Sequence, residues 1–180
     1  MLGNEGGELP VAVKQKIGVS LTESGFSSQF TVEDVWHILA KMYPDFQKDF
    51  FDQKCDVLKL PRKKKLKEFS TGMKAKLRVL TAISHKADLL ILDEPTAGLD
   101  PMSSTLIEDY IVRLKRETNA ASIVVTHQMS TITRTADRVI MLYDGKIVFE
   151  GTPMQLLKQD TPYTRQFVTA SLDGPMKLKA

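Results

Sequence analysis

Four consecutive apolar residues at positions 89–92 constrain the fold of this chain more than any other feature. A strand without polar alternation is typical of a parallel sheet that helices cover on both faces. Segments with the apolar spacing of helices flank this run, at about 73–85 and about 103–116. A second apolar strand follows at 122–125. This order of elements predicts an α/β fold built on a parallel sheet.

The remaining patterns place further elements before and after these two strands. A short strand lies within 13–21, and Thr31, with Asp34 three residues on, is a candidate N-cap for a helix that Pro44 stops. The other predicted elements are helices at 45–58 and 130–136, strands at 138–143 and 146–150 joined by the turn Asp144-Gly145, and a helical tail at 153–170.

The bulk composition excludes several classes of protein. The chain has 180 residues, enough for one domain with a substantial core, and its formal net charge is +3. The basic run at 62–67 is typical of a solvated face, and we predict no nucleic-acid partner. The single cysteine, Cys55, forms no internal disulfide. Because no apolar stretch approaches the roughly 18–20 residues that span a bilayer, we expect any membrane association to come through a partner.

An acidic pair, Asp93 and Glu94, follows the first apolar strand directly. In parallel sheets the working residues lie at the carboxyl ends of the strands. Asp93 has the position to hold Mg2+, which prefers a few hard oxygen ligands and keeps several waters. Glu94 can orient or deprotonate an attacking water. The alternative is that the pair belongs to an acidic turn between strand and helix.

Four segments in order resemble the motifs of one family, the ATP-binding cassette (ABC) ATPases. They are FSTGM at 69–73, LLILDEP at 89–95, TAGLD at 96–100 and VVTH at 124–127. In that order they are similar to the family signature, the Walker B strand, the D-loop and the switch histidine. The likeness extends over about residues 13–159.

The resemblance implies a role for each matching residue. Glu94 matches the catalytic glutamate, His127 the histidine that senses the γ-phosphate, and Asp93 the Mg2+ ligand. The implied cofactors are therefore ATP and Mg2+. The residues implied to contact nucleotide are Ser70, Thr71, Gly72 and Met73. The D-loop aspartate, Asp100, is implied to cross to a second cassette at the same nucleotide site. A helix N-terminus favours an anion; the alternative is that Ser70 to Gly72 form only a helix N-cap.

Two local departures from the family pattern concern the same nucleotide site. The signature is FSTGM rather than the commoner LSGGQ, so Thr71 adds bulk where a glycine is usual. Thr22 or Glu23 occupies the place where a glutamine usually meets Mg2+ and the membrane subunit, and the sequence leaves open which of the two does so.

A larger departure is that no GxxxxGK[ST] string, the pattern of a phosphate-binding P-loop, occurs in the 180 residues. We therefore expect the family's first strands and its P-loop helix to be missing. This also predicts that the strand beside 89–92 is absent, leaving that strand edge uncovered. On this hypothesis the isolated chain binds Mg-ATP weakly and folds poorly.

The resemblance implies a P-loop NTPase-like parallel sheet with an inserted α-helical subdomain, within a single partial ABC ATPase domain over 1–180. Its predicted parts are the helical subdomain at 24–69, the motif-bearing core at 70–151 and a helical tail at 152–180. The apolar residues Phe26, Phe30, Val35 and Trp36 form either a docking groove or internal packing of the subdomain.

The implied function is the ATP-binding and ATP-hydrolysing subunit of an ABC transporter, peripheral on the cytoplasmic face of a membrane. Its implied partners are a transmembrane permease and a second ATP-binding cassette, identical or different. The alternative is a catalytically incompetent fragment, or a chain that lends its signature to a complete cassette. Chromosome-organising relatives are disfavoured, because they require long heptad repeats that this sequence lacks. Residues 69–100 resemble exporters of the antibiotic-efflux type, whereas residues 160–175 resemble lipid-transport systems.

Overall fold

The computed structural model describes residues 8–21 and 25–177. They divide into two compact units, the first ending at Thr126 and the second beginning at His127. The elements of the first unit are α1 (Val11–Lys14), β1 (Ile17–Ser20), α2 (Val32–Met42), α3 (Lys48–Val57), a 3₁₀ turn (Leu66–Glu68), α4 (Thr71–Ile83), β2 (Leu89–Asp93), α5 (Pro101–Thr118) and β3 (Ala121–Val125). Those of the second are α6 (Met129–Thr135), β4 (Val139–Tyr143), β5 (Lys146–Gly151), α7 (Pro153–Leu157) and α8 (Pro162–Thr169).

The first unit is built on a parallel sheet in the order β1-β2-β3. Ile91 of β2 lies level with Val19 of β1 on one side and with Ile123 of β3 on the other. The α/β prediction is confirmed. The expectation of an uncovered edge beside 89–92 was wrong, because β2 is the central strand and is paired along both edges.

Helix α4 packs closely against β1 and sets the spacing of the core. Its residues Leu77, Leu80 and Ile83 are buried at the predicted helical spacing. Gly18 permits this approach, because a Cβ at that position would lie only 1.8 Å from the backbone oxygen of Ala82. No side chain larger than hydrogen is compatible with that contact.

In chain order, helices α2 and α3 follow β1 and precede α4, as the sequence predicts. Thr31 and Asp34 form the expected capping box, with the Asp34 amide donating to Thr31 Oγ1 at 3.2 Å. Val35 is fully buried, and Phe51 of α3 lies in the same core. Because Trp36 also packs partly buried against that core, this apolar stretch serves internal packing at Val35 and Trp36.

The second unit contains the predicted hairpin, in which β4 and β5 pair antiparallel. Asp144 and Gly145 both have positive φ, at 49° and 74°, as the turn requires. The tail differs from the prediction, because two helices replace one. Gln159 adopts φ 58°, and Thr161 caps a new helix that begins at Pro162, so the chain cannot continue as a single helix.

None of the helices in the described ranges combines the length and the apolar character that a membrane crossing requires.

Candidate functional site

The acidic pair lies at the carboxyl end of the central strand. Asp93 is the last residue of β2, opposite Val125 of β3. Pairing continues one residue further, because the amide of Glu94 donates to the backbone oxygen of Val125 at 2.9 Å. Glu94 then turns the chain with φ 40°, which is uncommon for a residue with a side chain. Both residues are half-buried.

Thr126, the residue that follows β3, holds the carboxylate of Glu94. Its Oγ1 donates to Glu94 Oε2 at 3.1 Å. A hydrogen bond of this kind restricts the rotamers of the carboxylate. The contact depends on the parallel register, which brings the ends of β2 and β3 level. The sequence motif at 124–127 implied a role for His127 and none for Thr126.

The D-loop segment at 96–100 forms a compact turn between β2 and α5. The amide of Ala97 donates to the Glu94 oxygen at 3.1 Å, and Thr96 is fully buried. Gly98 adopts φ 71°, a region that glycine occupies at little cost. The turn therefore fixes where the catalytic candidate Glu94 lies relative to the start of α5 at Pro101.

Asp100 caps α5, which begins two residues earlier than the sequence pattern suggested. Its Oδ1 accepts from the amides of Met102 and Ser103, both at 3.0 Å. The hydrogen bond from the Ser103 side chain, followed by the amide bonds, lowers the pKa of the Asp100 carboxyl. An aspartate followed directly by proline is a recognised helix start and could have revealed this cap.

The signature segment at 69–73 forms the N-terminus of α4. Ser70 caps this helix, with its Oγ accepting from the Met73 amide at 3.2 Å. Ser70 and Thr71 are exposed, and a Cβ built on Gly72 would meet no atom closer than Ser103 Oγ at 3.8 Å. The helix-cap alternative for Ser70 is thus confirmed as a structural role, and a Cβ at position 72 would be in ordinary van der Waals contact with its neighbours.

The signature and D-loop segments are neighbours in the first unit. A Cβ at Gly98 would lie 3.7 Å from Thr71 Cγ2, and one at Gly72 would lie 3.9 Å from Leu99 Cδ2. The N-termini of α4 and α5 therefore meet at one place. Their positive dipole ends favour negative charge there.

The structure brings together some of the predicted site residues. Asp93 and Glu94 are consecutive at the end of β2, and Ser70, Gly72 and Asp100 lie around the two helix starts. Met73 is partly buried against the core. His127 is the first residue of the second unit, so its grouping with Glu94 stays a prediction. Thr22 and Glu23 lie outside the described residues.

A divalent cation at Asp93 would depend on oxygen ligands from outside the predicted site residues. Within residues 8–21 and 25–177 there is no group of three His, Cys, Asp or Glu side chains that could hold a metal. Mg2+ commonly binds through one or two carboxylates together with phosphate oxygens and water. The donor set around Asp93 is compatible with that mode, and not with an all-protein metal cage.

Comparison with known proteins identifies relatives over most of the chain. A family model described as "AAA domain, putative AbiEii toxin, Type IV TA system" matches residues 17–133. Protein TRIGALACTOSYLDIACYLGLYCEROL 3, chloroplastic, of Arabidopsis thaliana is 40% identical, with coverage of 61% of this chain and 36% of that protein. The bacitracin transport ATP-binding protein BcrA of Enterococcus faecalis is 32% identical, covering 91% of this chain and 53% of that protein.

A third relative and a solved structure extend the comparison. The intermembrane phospholipid transport system ATP-binding protein MlaF of Haemophilus influenzae is 37% identical, covering 62% of this chain and 42% of that protein. The structure of an ATP-binding subunit of an ABC transporter superposes with a TM-score of 0.70 at 20% identity, covering 89% of this chain and 70% of that one. The chain thus spans about half the length, or less, of these three relatives.

Proposed function

Since this chain belongs to the family of ATP-binding subunits of ABC transporters, we propose that it binds and hydrolyses ATP to drive movement of a substrate across a membrane. The observation that supports this most is the Glu94 carboxylate, held by the Thr126 hydroxyl at the open end of a central strand. The transport names of the relatives favour this function over a chain that only lends its signature to another cassette.

We propose that Glu94 acts as the general base that orients and deprotonates the attacking water. A general base must lie within hydrogen-bonding reach of its water and be ionised when it acts. The hydrogen bond from Thr126 would hold the carboxylate in a fixed position for this role. His127, next in the chain, would donate a hydrogen bond to the γ-phosphate.

We propose that the two adjacent helix starts bind phosphate groups of a nucleotide that a second cassette holds. Ser70, Thr71 and Gly72 present backbone amides and a hydroxyl at an exposed tip of α4. The absence of a Cβ at Gly72 would allow a phosphate to approach the backbone. Asp100, beside them, would cross the same interface between two cassettes.

Mg2+, when bound with ATP, would neutralise charge that develops on the phosphate oxygens. Asp93 would hold it through one carboxylate oxygen or through a water, and Thr22 or Glu23 would supply another oxygen. We further propose that the isolated chain binds Mg-ATP weakly. Its proposed phosphate ligands lie in the signature segment, which would contact nucleotide held by a second cassette. Titration calorimetry of Mg-ATP into the chain tests this, and micromolar affinity would contradict it.

The proposed location is peripheral, at the cytoplasmic face of a membrane, with a transmembrane permease and a second cassette as partners. The test is to produce the tagged chain in cells, purify it with associated membrane proteins in mild detergent and measure ATP turnover. We expect a co-purified permease and ATP turnover that Glu94→Gln abolishes without loss of assembly. A chain that brings down no membrane protein, or turnover unaffected by Glu94→Gln, would refute the proposal.

A further inference from the structure

A loop rich in lysine connects α3 to the signature helix. Five of its residues, here called the lysine loop, have exposed side chains: Lys59, Lys63, Lys64, Lys65 and Lys67. In the part of the chain that the structure describes, none of these five ammonium groups takes part in an ion pair. The loop therefore presents five uncompensated positive charges within nine residues of sequence.

The backbone of this loop is fixed to the helical part of the first unit. Leu60 and Leu66 are buried at 4% and 5% exposure. The amide of Leu66 donates to the Phe30 oxygen, and that of Lys67 to the Ser28 oxygen, both at 2.8 Å. The lysines therefore project from an ordered base, and binding a partner would not require folding of the loop.

Arg62, within the same loop, already has acidic partners. Its Nη1 donates to Asp52 Oδ1 at 2.5 Å and its Nη2 to Asp56 Oδ1 at 2.9 Å. These pairs occupy two of the three carboxylates of α3, which would otherwise offset the neighbouring lysines. Glu68, directly after the loop, is the remaining acid of the segment 59–68. The local charge is therefore strongly positive although the whole chain carries only +3.

We propose that the lysine loop binds the anionic phospholipid headgroups of a membrane surface. Clusters of four to eight basic residues beside a membrane attract anionic lipids, at about fivefold in affinity per lysine. Val57, at the end of α3, is 60% exposed and supplies an apolar side chain next to the cluster. Residues 57–67 contain no aromatic side chain on which unpaired nucleic-acid bases could stack. The choice of a membrane rests on the proposed function, which places the chain at a bilayer.

The test measures sedimentation of the 180-residue chain with vesicles. One preparation is an equimolar mixture of phosphatidylglycerol and phosphatidylcholine, and the other is phosphatidylcholine alone. We expect binding to the anionic vesicles only, and its loss at about 1 M salt, where the screening length falls to about 3 Å. The quadruple variant Lys63→Gln, Lys64→Gln, Lys65→Gln and Lys67→Gln should bind at least about a hundredfold more weakly.

The matched control replaces four exposed lysines elsewhere, with the same change in net charge: Lys41→Gln, Lys86→Gln, Lys146→Gln and Lys158→Gln. It should keep most of the affinity. Equal losses of affinity in both variants, or no vesicle binding by the natural chain, would overturn the proposal. Binding to poly-L-glutamate as tight as binding to the anionic vesicles, at the same salt, would also overturn it. Because vesicle binding requires neither nucleotide nor permease, these outcomes are independent of whether the chain hydrolyses ATP.

Discussion

The hydroxyl of Thr126 donates a hydrogen bond to the carboxylate of Glu94 at 3.1 Å, joining the ends of two adjacent parallel strands. The two residues are 32 positions apart in sequence, and α5 lies between them. Their contact connects the strand that supplies the proposed general base to the strand that leads to the proposed phosphate-sensing histidine. It assigns Thr126 a positioning role in the proposed ATPase site.

The first prediction concerns that hydrogen bond. In the assembled transporter, Thr126→Val should lower kcat for ATP hydrolysis by about tenfold, because a hydrogen bond to a charged group contributes roughly 1.5–3 kcal/mol. Steady-state ATPase assays measure this effect, with kcat and KM determined separately.

Thr126→Ser is the matched control, because it keeps the hydroxyl and removes only a methyl group. It should retain most of the turnover. If the valine and serine variants behaved alike, the hydroxyl would have no role in positioning Glu94.

The second prediction concerns the close approach of β1 to α4. Gly18→Ala would place a Cβ 1.8 Å from the backbone oxygen of Ala82, so strand or helix must shift. We expect the free energy of unfolding to fall by about 3 kcal/mol, the upper range for overpacking. Gly25→Ala is the control, since a Cβ there meets no atom within 4 Å and should cost under about 0.5 kcal/mol. Urea denaturation of the two variants separates these values, and similar midpoints would contradict the packing described for Gly18.

The third prediction concerns the pH dependence of stability. His85 is 2% exposed and stacks on Tyr43 with ring centroids 3.9 Å apart. Burial lowers the pKa of this histidine below its usual value of 6.5. The unfolded chain therefore binds the proton more tightly, so the free energy of unfolding should decrease as pH falls below about 6.5.

Denaturation measured between neutral and mildly acidic pH tests this expectation. His85→Gln should reduce the slope of stability against pH, whatever it does to stability at neutral pH. His37→Gln replaces an exposed histidine and should leave the slope in place. An unchanged slope in the His85 variant would show that other groups cause the acid sensitivity.

Local signals in the sequence predicted much of the fold. The capping box of Thr31 and Asp34 and the apolar strand at 89–92 involve neighbouring residues, so composition and spacing were sufficient to find them. The break before Pro162 leaves no mark on the apolar spacing of the tail, and its local signal is the proline that starts a new helix.

Long-range relationships could not be derived in the same way. The central position of β2 depends on which strands pair, and the sequence does not encode strand order in any local pattern. The contact of Thr126 with Glu94 requires both that order and the register. The proximity of Gly98 to Thr71 likewise follows from how α4 and α5 pack, although both segments were recognised as motifs.

The role of Glu94 as general base is tested most directly by ATP turnover of the assembled transporter carrying Glu94→Gln. The amide is nearly isosteric with the carboxylate and cannot accept the proton of the attacking water. We expect ATP binding to persist and kcat to fall by at least about a hundredfold, the lower range for loss of a general base. Full turnover by the Glu94→Gln protein would contradict this account.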